Sequence, residues 1–122
     1  MANPNRVVGQ VKVRFDGSIL ETDGSSTMDI GGPVREAVAG DYQAGAFKEM
    51  TKESKCECTI LYKSGMSLSA IRAIDNATVT LETDTGGVWI IRNAYVADAI
   101  SFSGSDGKAK IVFQGPPAEE ML

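Results

Sequence analysis

Apolar and polar residues alternate with a period of two through most of this chain, and glycine-rich turns interrupt the alternation at short intervals. That period puts all the apolar side chains of a segment on one face of an extended strand. Val7-Val8-Gly9-Gln10-Val11-Lys12-Val13-Arg14-Phe15 places Val7, Val11, Val13 and Phe15 on one face and Gln10, Lys12 and Arg14 on the other. Asp16-Gly17 predicts a tight turn into Ile19-Leu20-Glu21. In Lys55 to Tyr62, Cys56, Cys58, Ile60 and Tyr62 share one face, with Glu57 and Thr59 on the other. Ala77 to Glu82 alternates strictly, Thr83 to Gly87 turn the chain, and Val88 to Val96 returns. A last hairpin joins Ala99–Phe102 to Lys110–Gln114 across Ser103–Gly107. Thirteen glycines in 122 residues suit such a turn-rich chain. The expected fold is mainly β, a sandwich or small barrel, forming one domain over residues 1–122.

Four segments depart from this pattern. Ser67 to Asp75 reads as a short helix, with Leu68, Ile71 and Ile74 at helical spacing and Ser67 as N-cap. So short a helix must pack over the sheet or plug a barrel end. Thr27 to Ile30 reads as a short strand broken at Gly31-Gly32-Pro33, with Val34 to Val38 continuing it. From Ala39 to Ser54 the pattern dissolves into a long loop carrying Tyr42, Phe47 and Met50, which favours a contact surface for another chain. Residues 115–122 read as a short flexible tail, rich in proline and acid.

The strand Val88 to Val96 is apolar on both faces. Val88, Ile90 and Ala94 take one side and Trp89, Ile91 and Tyr95 the other. Both sides therefore need cover, one from the core and one from the helix or another subunit.

Most catalytic chemistry is excluded by composition. The chain has no histidine, which removes Ser-His and Cys-His pairs, imidazole bases and His-ligated metals. Cys56 and Cys58 alone do not make a zinc site. They read as reduced core thiols, the alternative being an inter-subunit disulfide. The net charge of −4, without a basic cluster, argues against tight binding of nucleic acid. No apolar run is long enough to span a bilayer, and the opening Met1 to Arg6 lacks the apolar core of a signal peptide. No cofactor or metal site is expected.

Asp84-Thr85-Gly86 has the form of an aspartic peptidase tripeptide. Such an enzyme needs the aspartate on an apolar strand entering a buried site, where a second aspartate shares one proton. Here Glu82 and Thr83 precede Asp84, and only Gly87-Val88-Trp89-Ile90 separates the tripeptide from Ile91-Arg92-Asn93, leaving no room for a flap. Asp84 is the corner of a hairpin on this reading, and a small dimeric peptidase using it is the remote alternative.

Several motifs, in order, resemble the tail tube proteins of Mu-like contractile-tailed bacteriophages. They are Gly9-x-Val11-x-Val13 with Asp16-Gly17, Gly31-Gly32-x-x-Arg35 leading to Val38-x-Gly40-Asp41, and Glu57-Cys58-Thr59-Ile60 before the helix. Asn76 to Thr80, Glu82 to Gly86, Arg92-Asn93-Ala94 and the closing Phe113-x-Gly115-x-Pro117-Ala118-Glu119 complete the set.

The resemblance implies a structural subunit, not an enzyme, with a fold similar to the tube protein of type VI secretion systems. It implies hexameric rings stacked into a hollow tube inside a contractile sheath, with tape-measure protein and then DNA in the lumen. Baseplate and tail-terminator proteins would close the ends, with no membrane binding. The virion tail, assembled in the host cytoplasm, would be its place. A secretion-system or bacteriocin tube is the alternative. On that reading Gly40, Asp41, Tyr42, Phe47 and Met50 would contact the next ring. Glu57, Thr59, Thr78, Thr80 and Glu82 would face the lumen, and Trp89, Ile91 and Tyr95 would pack against a neighbouring subunit.

Overall fold

The computed structural model describes residues 3–16 and 18–121. Among these residues eleven strands and one helix follow one another: β1 (Val11–Phe15), β2 (Ser18–Leu20), β3 (Thr27–Asp29), β4 (Gly32–Val38), β5 (Ala46–Lys52), β6 (Ser54–Leu61), α1 (Leu68–Arg72), β7 (Ala77–Thr83), β8 (Val88–Val96), β9 (Ser101–Ser103), β10 (Lys108–Gly115) and β11 (Glu119–Met121). The mainly β expectation holds. The Asp16-Gly17 turn includes Gly17, which lies outside the described residues; Asp16 itself has φ 48°, and Phe15 pairs with Ser18 across the turn.

One antiparallel sheet runs in the order β2-β1-β7-β8-β10-β6-β3, with β9 on β10 and β11 on β8. A bridge between Thr22 and Ile60 closes this sheet on itself, flanked by Leu61 N–H donating to Glu21 O at 2.9 Å and Asp23 N–H to Thr59 O at 3.0 Å. The result is a small barrel with a single apolar interior. Val13, Cys56, Ile60, Val79, Ile91, Ile111 and Phe113 fill it, each with no more than traces of exposure. The strict alternation of β6 is visible in its burial, with Ser54, Cys56, Cys58 and Ile60 inward and Lys55, Glu57, Thr59 and Leu61 outward.

The helix forms where its spacing predicted, though shorter, and Ser67 caps it by accepting the Ala70 N–H at 3.2 Å. Ile71 is buried, and Leu68 and Ile74 pack on the core, so α1 closes one end of the barrel.

Three expectations need correction. Residues 39–54 are not one long loop: β5 and the start of β6 lie within it, and only residues 39–45 connect β4 to β5. The expected tail over residues 115–122 is not free as far as it is described, because β11 pairs with β8 through Glu119 to Ile90 and Met121 to Val88, and Leu122 lies outside the described residues. Pro116-Pro117 only interrupts what is otherwise one continuous partner for β8, since β10 pairs farther along the same strand through Phe113 and Val96. Finally, β8 does not keep one alternation along its length. Val79 pairs with Ile91 but Ala77 with Ala94, so Arg92 and Asn93 together stand opposite Thr78. Asn93 adopts φ 55°, a left-handed conformation that asparagine tolerates better than most residues.

Candidate assembly interface

Among the described residues, β4 and β5 form a two-stranded ribbon bonded to no other strand. Seven residue pairs hold it together, from Gly32–Lys52 to Val38–Ala46. Every ribbon residue except Gly32 is exposed. Directly opposed residues share a face. Val34, Glu36, Val38, Lys48 and Met50 therefore occupy one side, and Arg35, Ala37, Phe47 and Glu49 the other. Arg35 Nε bonds Glu49 Oε1 at 3.1 Å while its guanidinium lies 5.9 Å from the Phe47 ring, and Lys48 pairs with Glu36 at 3.5 Å. Such exposed pairs contribute little, and an isolated two-stranded ribbon is marginal in water. Phe47 and Met50 are 57% and 47% exposed, and Tyr42 at the tip is wholly so. The tip is a tight turn in which Gly40 N–H donates to Gln43 O at 2.7 Å. Gly40, Asp41, Tyr42, Phe47 and Met50 thus share one projecting element.

The two polar sets read from β6 and β7 both lie on the barrel's outer face, separated by β8 and β10. Their carboxylates are not free. Glu57 bonds Lys55 at 2.9 Å and approaches Lys110 at 4.0 Å, and Glu82 pairs with Arg14 at 3.4 Å. The Lys55 hydrogen bond, helped by the charges of Lys55 and Lys110, holds the Glu57 carboxyl below its usual range. Thr59, Thr78 and Thr80 complete these outer faces.

Trp89, Ile91 and Tyr95 are not brought onto one outward face. Ile91 is fully buried in the chain's own core, Trp89 is half-buried on that same side, and Tyr95 turns outward beyond the bulge, its hydroxyl 3.4 Å from Gln114 Oε1. The second apolar face of β8 does exist, but Val88, Ile90 and Tyr95 form it, joined by Met121 from β11. Arg92-Asn93, a polar pair inside an apolar run, was the signal for the bulge that redistributes them. The far edge of β3 also lacks a strand partner among the described residues, and unpaired edges invite pairing with another chain.

Asp84 is part of the architecture. Its carboxylate accepts the Gly9 N–H and the Arg6 guanidinium, each at 3.2 Å, and its own N–H donates to Gln10 O at 2.9 Å. The Gly9 bond, assisted by Arg6, holds the carboxyl below its ordinary value. A peptidase dyad shares a proton between two carboxyls; Asp84 is instead tied as an anion to a guanidinium. Cys56 and Cys58 are unpaired and face the core, where burial pushes the thiols up to about 11 and about 12. Neither sulfur is placed for an inter-subunit disulfide. Among the described residues, no group of three or more acidic or cysteine side chains could hold a metal ion.

Among the described residues, then, a closed barrel with its own core carries a ribbon paired with no other strand, an apolar outer strip and an unpaired β3 edge, features that suit a structural subunit. The phage tail tube protein family matches residues 4–120, and the chain belongs to that family. It is 33% identical over 103 residues to the Mu-like prophage FluMu tail tube protein of Haemophilus influenzae, covering 84% of this chain and 86% of that one. With the tail tube protein of Escherichia phage Mu it shares 30% identity over 102 residues, at the same coverages. Among solved structures, the sheath/tube terminator of an extracellular contractile injection system (PVC) has the same fold. Its TM-score is 0.71 at 12% identity, with all of both chains covered. Membership in this family makes the chain a structural component and not an enzyme.

Proposed function

We propose that this chain is the repeating subunit of the tail tube of a Mu-like contractile phage, and the match to that family across residues 4–120 carries the reading. Subunits join side by side into hexameric rings, and rings stack head to tail into a hollow conduit that a contractile sheath surrounds. Edge-to-edge joining supplies β3 with a partner, and a neighbour covers Val88, Ile90, Tyr95 and Met121. The ribbon, exposed on both faces, reaches the next ring. Open-ended stacking is the outcome of heterologous contacts that do not close.

The lumen holds a tape-measure protein before DNA passes. Baseplate and terminator proteins cap the ends, and the tail assembles in the host cytoplasm. The outward faces of β6 and β7 are candidates for the lumen wall. Their carboxylates are matched by Lys55, Lys110 and Arg14, which gives a locally balanced surface rather than a strongly acidic one. Such a surface offers DNA no concentrated basic patch to hold it.

A tube subunit of an extracellular injection system is the second reading, favoured by the shared fold with a PVC component. The greater identity to two phage proteins places it second. Negative-stain electron microscopy of the purified chain tests the proposal. Hollow rods or rings are expected, and a chain that stays monomeric at high concentration would overturn it.

A further inference from the structure

Beside α1 lies a groove of about 450 Å³, walled by Tyr62, Met66, Leu68, Arg72, Ile100 and Phe102. Tyr62 and Phe102 meet edge to face with ring centroids 5.4 Å apart, yet remain 38% and 63% exposed. Arg72, in the last turn of the helix, is the one charged side chain among the groove's lining residues. The groove and the ribbon sit at opposite ends of the barrel. β6 connects the two: Ser54 follows the ribbon, and Leu61 adjoins Tyr62 of the groove. Its eight residues span about 25 Å at about 3.3 Å per residue.

We propose that the groove beside α1 receives the ribbon tip of a second copy of this chain, with Tyr42 packing against the Tyr62–Phe102 pair and Asp41 pairing with Arg72. This rests on the reading of the ribbon as the stacking element and adds the surface that it meets. The tip offers one aromatic and one acidic side chain on a tight turn, and the groove offers an aromatic pair and one guanidinium. Asp41 and Arg72 make no ion pair within the chain among the described residues. Aromatic rings favour edge-to-face and offset contacts of the kind a third ring would make here, and guanidinium-carboxylate pairing fixes its orientation. Because giver and receiver lie at opposite ends, each copy does both, and the contact propagates without closing.

A charge-swap experiment on the full chain tests this, read as the critical concentration for rod formation by sedimentation and electron microscopy. Asp41→Arg and Arg72→Asp, each alone, should raise that concentration about fivefold or more, the effect of about 1 kcal/mol from one charge pair. The double variant should recover most of the loss. Tyr42→Ala should weaken stacking in the wild-type background and in the double swap alike. All three positions are exposed, and unchanged thermal unfolding of each variant checks that the subunit still folds. If Arg72→Asp disturbs the helix, the alanine pair Asp41→Ala and Arg72→Ala closes the same cycle. Additive losses without recovery would overturn the groove as receptor while leaving the ribbon's stacking role intact. Rods that persist after residues 39–45 are replaced by a two-residue turn would overturn the stacking role itself.

Discussion

The Asp84 carboxylate ties residues 6–10 to the turn between β7 and β8 through Gly9 and Arg6. Its folded value lies below the ordinary 3.8, so the contribution is fully present above 3.8 and is lost as pH falls through the folded value. Asp84→Asn should therefore lower the thermal midpoint at neutral pH, and the gap to the wild type should shrink as pH falls well below 3.8. An undiminished gap in acid would show that the charge is not what matters. Cys56 and Cys58 should resist a thiol reagent in the folded subunit and react fully in denaturant, because burial withholds both access and the thiolate. Rapid labelling of the native protein would contradict the inward placement. At this scale the corner role of Asp84 was legible, since aspartate and glycine are what a turn selects. Its partners Arg6 and Gly9 were not, because they lie more than seventy residues away in sequence.

Among the elements, strands with one wet face were legible, and of the ribbon only Val34 to Val38 was. β4 and β5 have solvent on both faces, so no burial imposes a period of two on Phe47-Lys48-Glu49-Met50, and the segment reads as a loop. β11 was hidden by Pro116-Pro117, which ends a ladder in most settings but here only separates two partners of β8. The base of the ribbon depends on Gly31, at φ 68°, where an added Cβ would lie 2.7 Å from the Glu53 backbone. Gly31→Ala should destabilise the subunit by about 1–3 kcal/mol in denaturant titration and shift the ribbon enough to weaken stacking. A variant with wild-type stability and wild-type rods would show that this junction yields easily.

Phe113 is fully buried at the centre of the barrel and stacks on Phe15 at 6.5 Å. Phe113→Ala should cost about 3–5 kcal/mol by chemical denaturation. That is a large part of the total stability of a domain of this size, so assembly should fail through unfolding and not through a lost contact. A loss below about 1 kcal/mol would mean that the barrel collapses to fill the space. For the molecule as a whole, the sequence by itself determined the mainly β class, most strand positions, the capped helix and the absence of histidine chemistry. Those are consequences of local periodicity and residue type. Tertiary structure alone decided that the sheet closes through Thr22 and Ile60, and that the bulge at Arg92-Asn93 buries Ile91 while turning Tyr95 outward. It also decided that the ribbon and the α1 groove lie at opposite ends of β6. Each of these depends on which distant backbone groups pair, and a one-residue change in pairing exchanges the buried and exposed faces without altering the local pattern.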